Sequence, residues 1–198
     1  MIIVDDFLQD PSVLREAALK LSYPMQNAMF AGRNSIERLA ISGLAEQVSK
    51  LVGEDLVPIE PLHSHGKCRI TLAQDMGRSR IHVDRSHWSG ILYLSAPSDC
   101  AGGTEFYRHR RTGMDRWPIN QEELEATGMA TLDHLRSEIV EKDSNHPDKW
   151  ELTMQVPMRF NRLLLLRPWF WHTASAGFGD GLDNGRLVYL MFFAAAHA

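Results

Sequence analysis

The chain changes character near residue 62. Beyond that point short apolar or alternating runs follow one another, each closed by Gly, Pro, Asp or Ser. The runs are Cys68 to Ala73, Arg80 to Asp84, Gly90 to Leu94, Thr104 to Tyr107, Leu152 to Val156, Arg162 to Leu166 and Leu187 to Phe193. Strands project alternate side chains to opposite faces, so short runs with breakers between them must double back on one another. The pattern predicts an all-β barrel or sandwich.

The residues before this point read differently. Ile2 to Leu8 suggests a short strand entering a turn. Asp10 then stands as a helix cap with Pro11 in the first turn, and a helix is predicted from Pro11 to Leu21. A second helix is predicted from Ser35 to Val52, ending near Gly53. Asn120 to Glu141 reads as one or two helices inserted between strands, followed by a polar loop over residues 142–148. A chain of 198 residues suits one domain. The expected layout is therefore a single domain over 1–198. Residues 1–61 give N-terminal helical support, and 62–198 a β-core with a helical insertion near 120–141. The class is mainly β with flanking helices (α+β).

Composition excludes some partners. The formal net charge is -4, so no global field draws the chain to nucleic acid or anionic lipid. No apolar run is long enough to span a bilayer, and the N-terminus lacks the basic start of a signal peptide. The two cysteines, Cys68 and Cys100, lie far apart and neither has a CxxC partner. They read as reduced thiols in a cytoplasmic protein that partners neither nucleic acid nor membrane.

His82-Val83-Asp84 is the informative triplet. On a strand, His82 and Asp84 share a face and present an imidazole nitrogen beside a carboxylate oxygen. Two histidines and one carboxylate, with open positions opposite, is the ligand set of non-haem iron(II) oxygenases. His172, set among Trp169, Phe170 and Trp171 near a strand end, is the best third ligand; His63, His65 and His87 are weaker. A His-x-Asp tripeptide is common, however, and a buried histidine is usually a hydrogen-bonded core residue. The set gains meaning only with a place for a co-substrate. An organic acid chelating the metal needs its distal carboxylate held by a cation, and the planar fork of Arg suits this. Arg186 opens an otherwise apolar strand, either at a solvated edge or paired inside.

The order of these elements resembles the Fe(II)/2-oxoglutarate-dependent oxygenases, most closely their prolyl-hydroxylase-like branch. The matching elements are His82-x-Asp84, Ile91-Leu92-Tyr93-Leu94-Ser95, Gly102-Gly103-Thr104-Glu105-Phe106, Asn161 to Leu166, His172 and Arg186, over residues 66 to 194. The resemblance implies a double-stranded β-helix, the cupin-like jelly roll. It also implies Fe(II) on His82, Asp84 and His172, 2-oxoglutarate held by Arg186 with help from Tyr93, and O₂ as oxidant. The step from His172 to Arg186 is longer than the family's habit, and Val188 stands where a serine or threonine is often found. Related halogenases lack the carboxylate ligand; Asp84 implies hydroxylation instead, with release of succinate and CO₂.

The implied substrate is a small molecule or an amino-acid or peptide side chain. Trp88 is a candidate lid or stacking residue, or simply a Trp packed over the barrel rim. Arg108, with His109 and Arg110, would bind an acidic group or form a solvated charge run. Thr104 completes the candidate substrate pocket. The alternative reading is a non-catalytic or 2-oxoglutarate-independent cupin-type metal-binding protein.

Overall fold

The computed structural model describes residues 1–25 and 29–196. Strand β1 (Ile2–Val4) leads to helix α1 (Pro11–Leu19), strand β2 (Arg33–Asn34), helix α2 (Leu44–Val52) and strand β3 (Leu56–Pro58). The core follows as β4 (Cys68–Thr71), β5 (Trp88–Tyr93), β6 (Gly103–His109), β7 (Trp150–Pro157), β8 (Leu163–Leu166), β9 (His172–Ala174) and β10 (Arg186–Ala195). Helices α3 (Gln121–Ala126) and α4 (Leu132–Leu135) interrupt it, with a π-helical turn over Arg136–Glu141. No helix among the described residues is long and apolar enough to cross a membrane.

The strands form two antiparallel sheets. The larger has the order β1-β8-β5-β10-β4-β2, with β3 also paired to β10. The smaller has the order β7-β6-β9, and an isolated bridge between His82 and His172 extends its free edge. Each sheet thus presents four core elements, with β4, β10, β5 and β8 opposite the His82 bridge, β9, β6 and β7. This is a jelly roll, the double-stranded β-helix expected from the sequence.

Strand β10 shows how the sequence sets the two faces. Leu187, Tyr189, Met191 and Phe193 pack outward into the cluster that includes Ala18 of α1 and Val48 of α2. The alternate residues Arg186, Val188, Leu190 and Phe192 line a cavity between the sheets. Both faces are covered, which is why the strand reads as a continuous apolar run. On the far side of the smaller sheet, Leu124, Leu135 and Ile139 of the helical insertion pack over Tyr107, Trp150 and Trp171.

Several expectations change. The helix foreseen over Ser35 to Val52 is confined to Leu44–Val52. Ser35 instead continues the pairing of β2, since its N–H donates to the Cys68 carbonyl at 2.8 Å and its hydroxyl accepts from the Cys68 N–H at 3.0 Å. Gly43, left-handed at φ 69°, then turns the chain into α2. Asp10 precedes α1 without a side-chain cap bond, while Pro11 takes the first turn as expected. The segment 1–61 supplies three strands to the larger sheet as well as helices. Arg80 to Asp84 forms a single bridge and no strand, whereas the run expected from Gly90 begins two residues earlier, at Trp88 of β5.

The two glycines before β6 do what their type suggests. Gly102 is left-handed at φ 62°, and a Cβ on Gly103 would lie 1.9 Å from the Val156 carbonyl oxygen.

Candidate metal centre

The cavity between the sheets encloses about 790 Å³. His82 and Asp84 enter it from the bridge segment and His172 from the start of β9. Reciprocal backbone hydrogen bonds of 3.0 Å join His82 to His172, and the Asp84 N–H donates to the Pro168 carbonyl at 2.9 Å. Between the two ligands, Val83 turns the other way and packs with Ile81 against the helical insertion. The alternation expected of a strand is therefore kept without a strand.

One ligand atom from each of His82, Asp84 and His172 lies within 4.8 Å of the others. The Nε2 atoms of His82 and His172 stand 3.8 and 3.5 Å from the Asp84 carboxylate. Their other ring nitrogens are committed. Nδ1 of His82 donates to the Arg80 carbonyl and Nδ1 of His172 to the Phe170 carbonyl, both at 2.8 Å. A carbonyl only accepts, so each neutral ring carries its proton on Nδ1 and turns a bare Nε2 lone pair to the cavity. Burial, reinforced by the neighbouring His172, lowers the His82 pKa to about 4 and keeps that ring neutral. Asp84 is ionised: burial opposes the charge, yet its pKa lies at about 2, with the two imidazoles beside it and the Ser89 hydroxyl donating to Oδ2 at 3.3 Å. Three lone-pair donors thus converge with no proton to share, a set suited to a divalent cation. Phe30 stacks on His82 with ring centroids 3.9 Å apart and walls this side of the site.

Arg186 lies in the same cavity and is 2% exposed. Its Nε has no hydrogen-bond partner, and its one polar contact runs from Nη2 to the Gly103 carbonyl at 3.4 Å. No carboxylate among the described residues lies within ion-pair distance of it. Burial lowers its pKa, against the favourable influence of Tyr93 and Glu105. Burying an ion costs several kcal/mol or more unless a partner offsets it. The two alternatives left by the sequence, solvated edge or internal pair, are both replaced by a buried cation facing an open space.

The other candidates divide. Thr104 lines the cavity and shares a 2.7 Å hydrogen bond with the Tyr93 hydroxyl. Tyr93 itself is fully buried behind it, with the Arg186 guanidinium 5.9 Å from its ring centroid. Trp88 does not line the cavity; it is buried in β5 beneath the Arg167 guanidinium, 4.2 Å from the ring centroid. Arg108 is half exposed on the smaller sheet, 3.9 Å from Glu151. His109 and Arg110 bond to Asp143 and to the Trp150 carbonyl, so this basic run is structural. His63, His65 and His87 lie outside the ligand cluster. The sequence reading missed Arg69 and Phe30, both of which line the cavity.

The chain belongs to DUF6445, a family of unknown function. The family model matches residues 1–193. No curated protein matches this DUF6445 chain in sequence. Among solved structures it is similar to HygX from Streptomyces hygroscopicus with nickel, 2-oxoglutarate and hygromycin B bound, at TM-score 0.55 and 12% identity over 98% of this chain and 82% of that one. HygX with iron bound gives TM-score 0.44 at 13% identity over the same shares. At this identity the first likeness concerns the fold alone, and it agrees with the jelly roll described above.

Proposed function

We propose that the chain is a non-haem Fe(II)/2-oxoglutarate-dependent oxygenase that hydroxylates a small molecule or an amino-acid or peptide side chain, releasing succinate and CO₂. The observation that carries this is the pairing, in one cavity, of a proton-free His-Asp-His set with a buried guanidinium that has no acid partner. A dicarboxylic acid that chelates a metal at one end and needs a cation at the other matches both. HygX, whose fold is similar, binds 2-oxoglutarate with its metal.

In this reading His82, Asp84 and His172 hold the metal on one face and leave the opposite positions open. Arg186 takes the distal carboxylate as a forked, charge-assisted pair. Thr104 offers a hydroxyl beside it, oriented by Tyr93. Ile91, Leu166, Val188 and Leu190 make the surrounding wall apolar, which excludes water and strengthens the ion pair. Iron with 2-oxoglutarate and O₂ supplies an oxidant able to remove hydrogen from carbon; the protein supplies position and dryness.

Anaerobic titration of the protein with iron(II) and 2-oxoglutarate tests the reading. A weak visible metal-to-ligand band should appear with both present, and O₂ should then yield succinate. Both signals should vanish in His82→Ala and Asp84→Ala. Metal binding with no spectral change on adding 2-oxoglutarate would replace the proposal with a 2-oxoglutarate-independent metalloprotein.

A further inference from the structure

A second guanidinium lines the cavity, and the proposed co-substrate does not use it. Arg69 lies on β4, opposite Val188, while Arg186 lies opposite Thr71. The two arginines therefore sit on one inner face, at diagonal positions of neighbouring strands. Burial lowers the Arg69 pKa, and the nearby Arg186 charge adds to that.

Most of the Arg69 fork is occupied. Nε and Nη2 both donate to the Ala31 carbonyl, at 3.0 and 2.6 Å, Nη2 also donates to the Phe30 carbonyl at 2.6 Å, and Nη1 donates to the Asn34 amide oxygen at 2.7 Å. These acceptors are neutral. They fix the group in place and leave one Nη1 proton unused; no carboxylate among the described residues lies within ion-pair distance of it, and Asp75 favours its charge only from further off. Besides Asp84, the described residues lining the cavity include one carboxylate, Asp75. Asp75 is already committed to Arg33 at 3.2 Å and to the Leu72 N–H at 2.9 Å. Arg80, a third arginine of the lining, is matched by Glu105 at 3.2 Å.

The charges can be balanced. A divalent metal, the Asp84 carboxylate, the Arg186 guanidinium and a bound dicarboxylate sum to zero. Arg69 remains, held rigidly in the same cavity, with one positive charge to spare. We propose that Arg69 is the substrate anchor, and that the cavity takes a small organic acid carrying one carboxylate outside the co-substrate. This rests on the oxygenase reading above.

The wall next to the anchor indicates the rest of the molecule. Arg69 grips the backbone of Phe30, and the Phe30 ring stacks on His82. One aromatic residue thus spans the distance from anchor to metal ligand. Met76 adds an exposed apolar side chain to the lining. A carboxylate on Arg69 directs an apolar skeleton along Phe30 toward the open metal positions. The carbon that reacts is then several bonds from the carboxylate.

The probes are phenylacetate, hippurate, octanoate and N-acetylleucinate, each paired with its primary amide. They are titrated against zinc-loaded protein saturated with 2-oxoglutarate, with ligand-observed NMR as the readout. Zinc removes turnover, and saturation with 2-oxoglutarate blocks Arg186. At least one acid should bind about tenfold or more tighter than its amide, the ratio expected for a charge-assisted hydrogen bond. Arg69→Gln should reduce that ratio to about one. Arg69→Lys, which keeps the charge, should retain a preference for the acid. In both variants 2-oxoglutarate affinity should stay near wild type, whereas Arg186→Gln should lose it. The proposal is overturned by acids that bind no better than amides, by a preference that survives Arg69→Gln, or by one lost equally in a folded Arg69→Lys. A parallel fall in 2-oxoglutarate affinity on Arg69→Gln would assign Arg69 to the co-substrate instead. Failure of the wild type to bind 2-oxoglutarate would count against the oxygenase reading separately, and the acid series is then read on the zinc form alone.

Discussion

Nε2 of His172 lies 3.5 Å from Oδ2 of Asp84, and neither atom carries a proton to place between them. Two acceptors facing each other repel unless a cation intervenes. The same holds for His82 at 3.8 Å. A divalent cation between these atoms would satisfy all three.

Metal should therefore stabilise the fold. At about 100 times its dissociation constant, a divalent ion adds roughly 2.7 kcal/mol. For a chain of this size that raises the melting temperature by about 5–10 °C. His82→Ala, Asp84→Ala and His172→Ala should each lose at least about 100-fold in cobalt(II) or zinc(II) affinity, since outer-shell changes alone cost 10–100-fold. Thermal scans with and without metal, beside calorimetric titration, check this. An undiminished metal-induced shift in any of the three would remove that residue from the site.

Arg186 gives a prediction of opposite signs. A buried cation without an acid at ion-pair distance among the described residues burdens the protein. Arg186→Met should raise its stability by about 1–4 kcal/mol. The same change should weaken 2-oxoglutarate binding by about 30-fold or more, the cost of removing one side of a buried charged pair. Urea denaturation and 2-oxoglutarate titration measure the two effects independently. A destabilised variant that still binds 2-oxoglutarate normally would contradict both.

Asn161 ties the N-terminus to the core. Its side chain accepts from the Leu8 N–H at 2.9 Å and donates to the Leu8 carbonyl at 2.8 Å. Its own backbone is left-handed, at φ 61°. Asn161→Ala loses both bonds and places a Cβ-bearing residue less tolerant of that conformation there. The expected destabilisation is about 2–3 kcal/mol, visible as a lower urea midpoint at unchanged slope.

Acid should weaken the fold before any carboxylate titrates. Burial holds His65 and His109 below the ordinary imidazole value of 6.5, in His109 against the pull of Asp143. The unfolded chain then binds more protons than the folded one just below pH 6.5, so stability rises with pH in that window and falls as pH drops through it. Urea midpoints measured between about pH 5 and 7.5 should show this slope. His109→Gln should flatten it; a slope unchanged in that variant would exclude His109 as a source.

The sequence carried the jelly roll and the His-Asp-His cluster for different reasons. Strand β10 was legible because its apolar run had no competing helical period. His82 and Asp84 were legible from spacing, although the strand that spacing assumed is only a bridge. The helix over Ser35 to Val52 failed because its apolar positions fit a helical period only roughly, while Gly43 and the pairing of Ser35 with Cys68 are tertiary effects. Of the two alternatives for Trp88, packing holds and a cavity lid does not, because pairing with Phe193 of β10 fixes it in a strand beneath Arg167. Arg69 escaped notice because an arginine alternating with Cys68 and Ile70 reads as the solvent-facing side of a strand. Only the opposing sheet and the Phe30-Ala31 segment turn that side inward.

Strand β10 places its two rows of side chains in two different materials, one row in the fold's interior and the other around the cavity between the sheets. Because the rows interleave residue by residue, a slip of the strand by one residue would exchange them. Leucine would then stand in the place of Arg186 and tyrosine in that of Val188, and the arginine would be driven against Ile70 and Leu72 of the apolar core. The cavity lining can therefore be altered by substitution along that strand, but not by sliding it, since any shift that reshapes that face dismantles the fold at the same time.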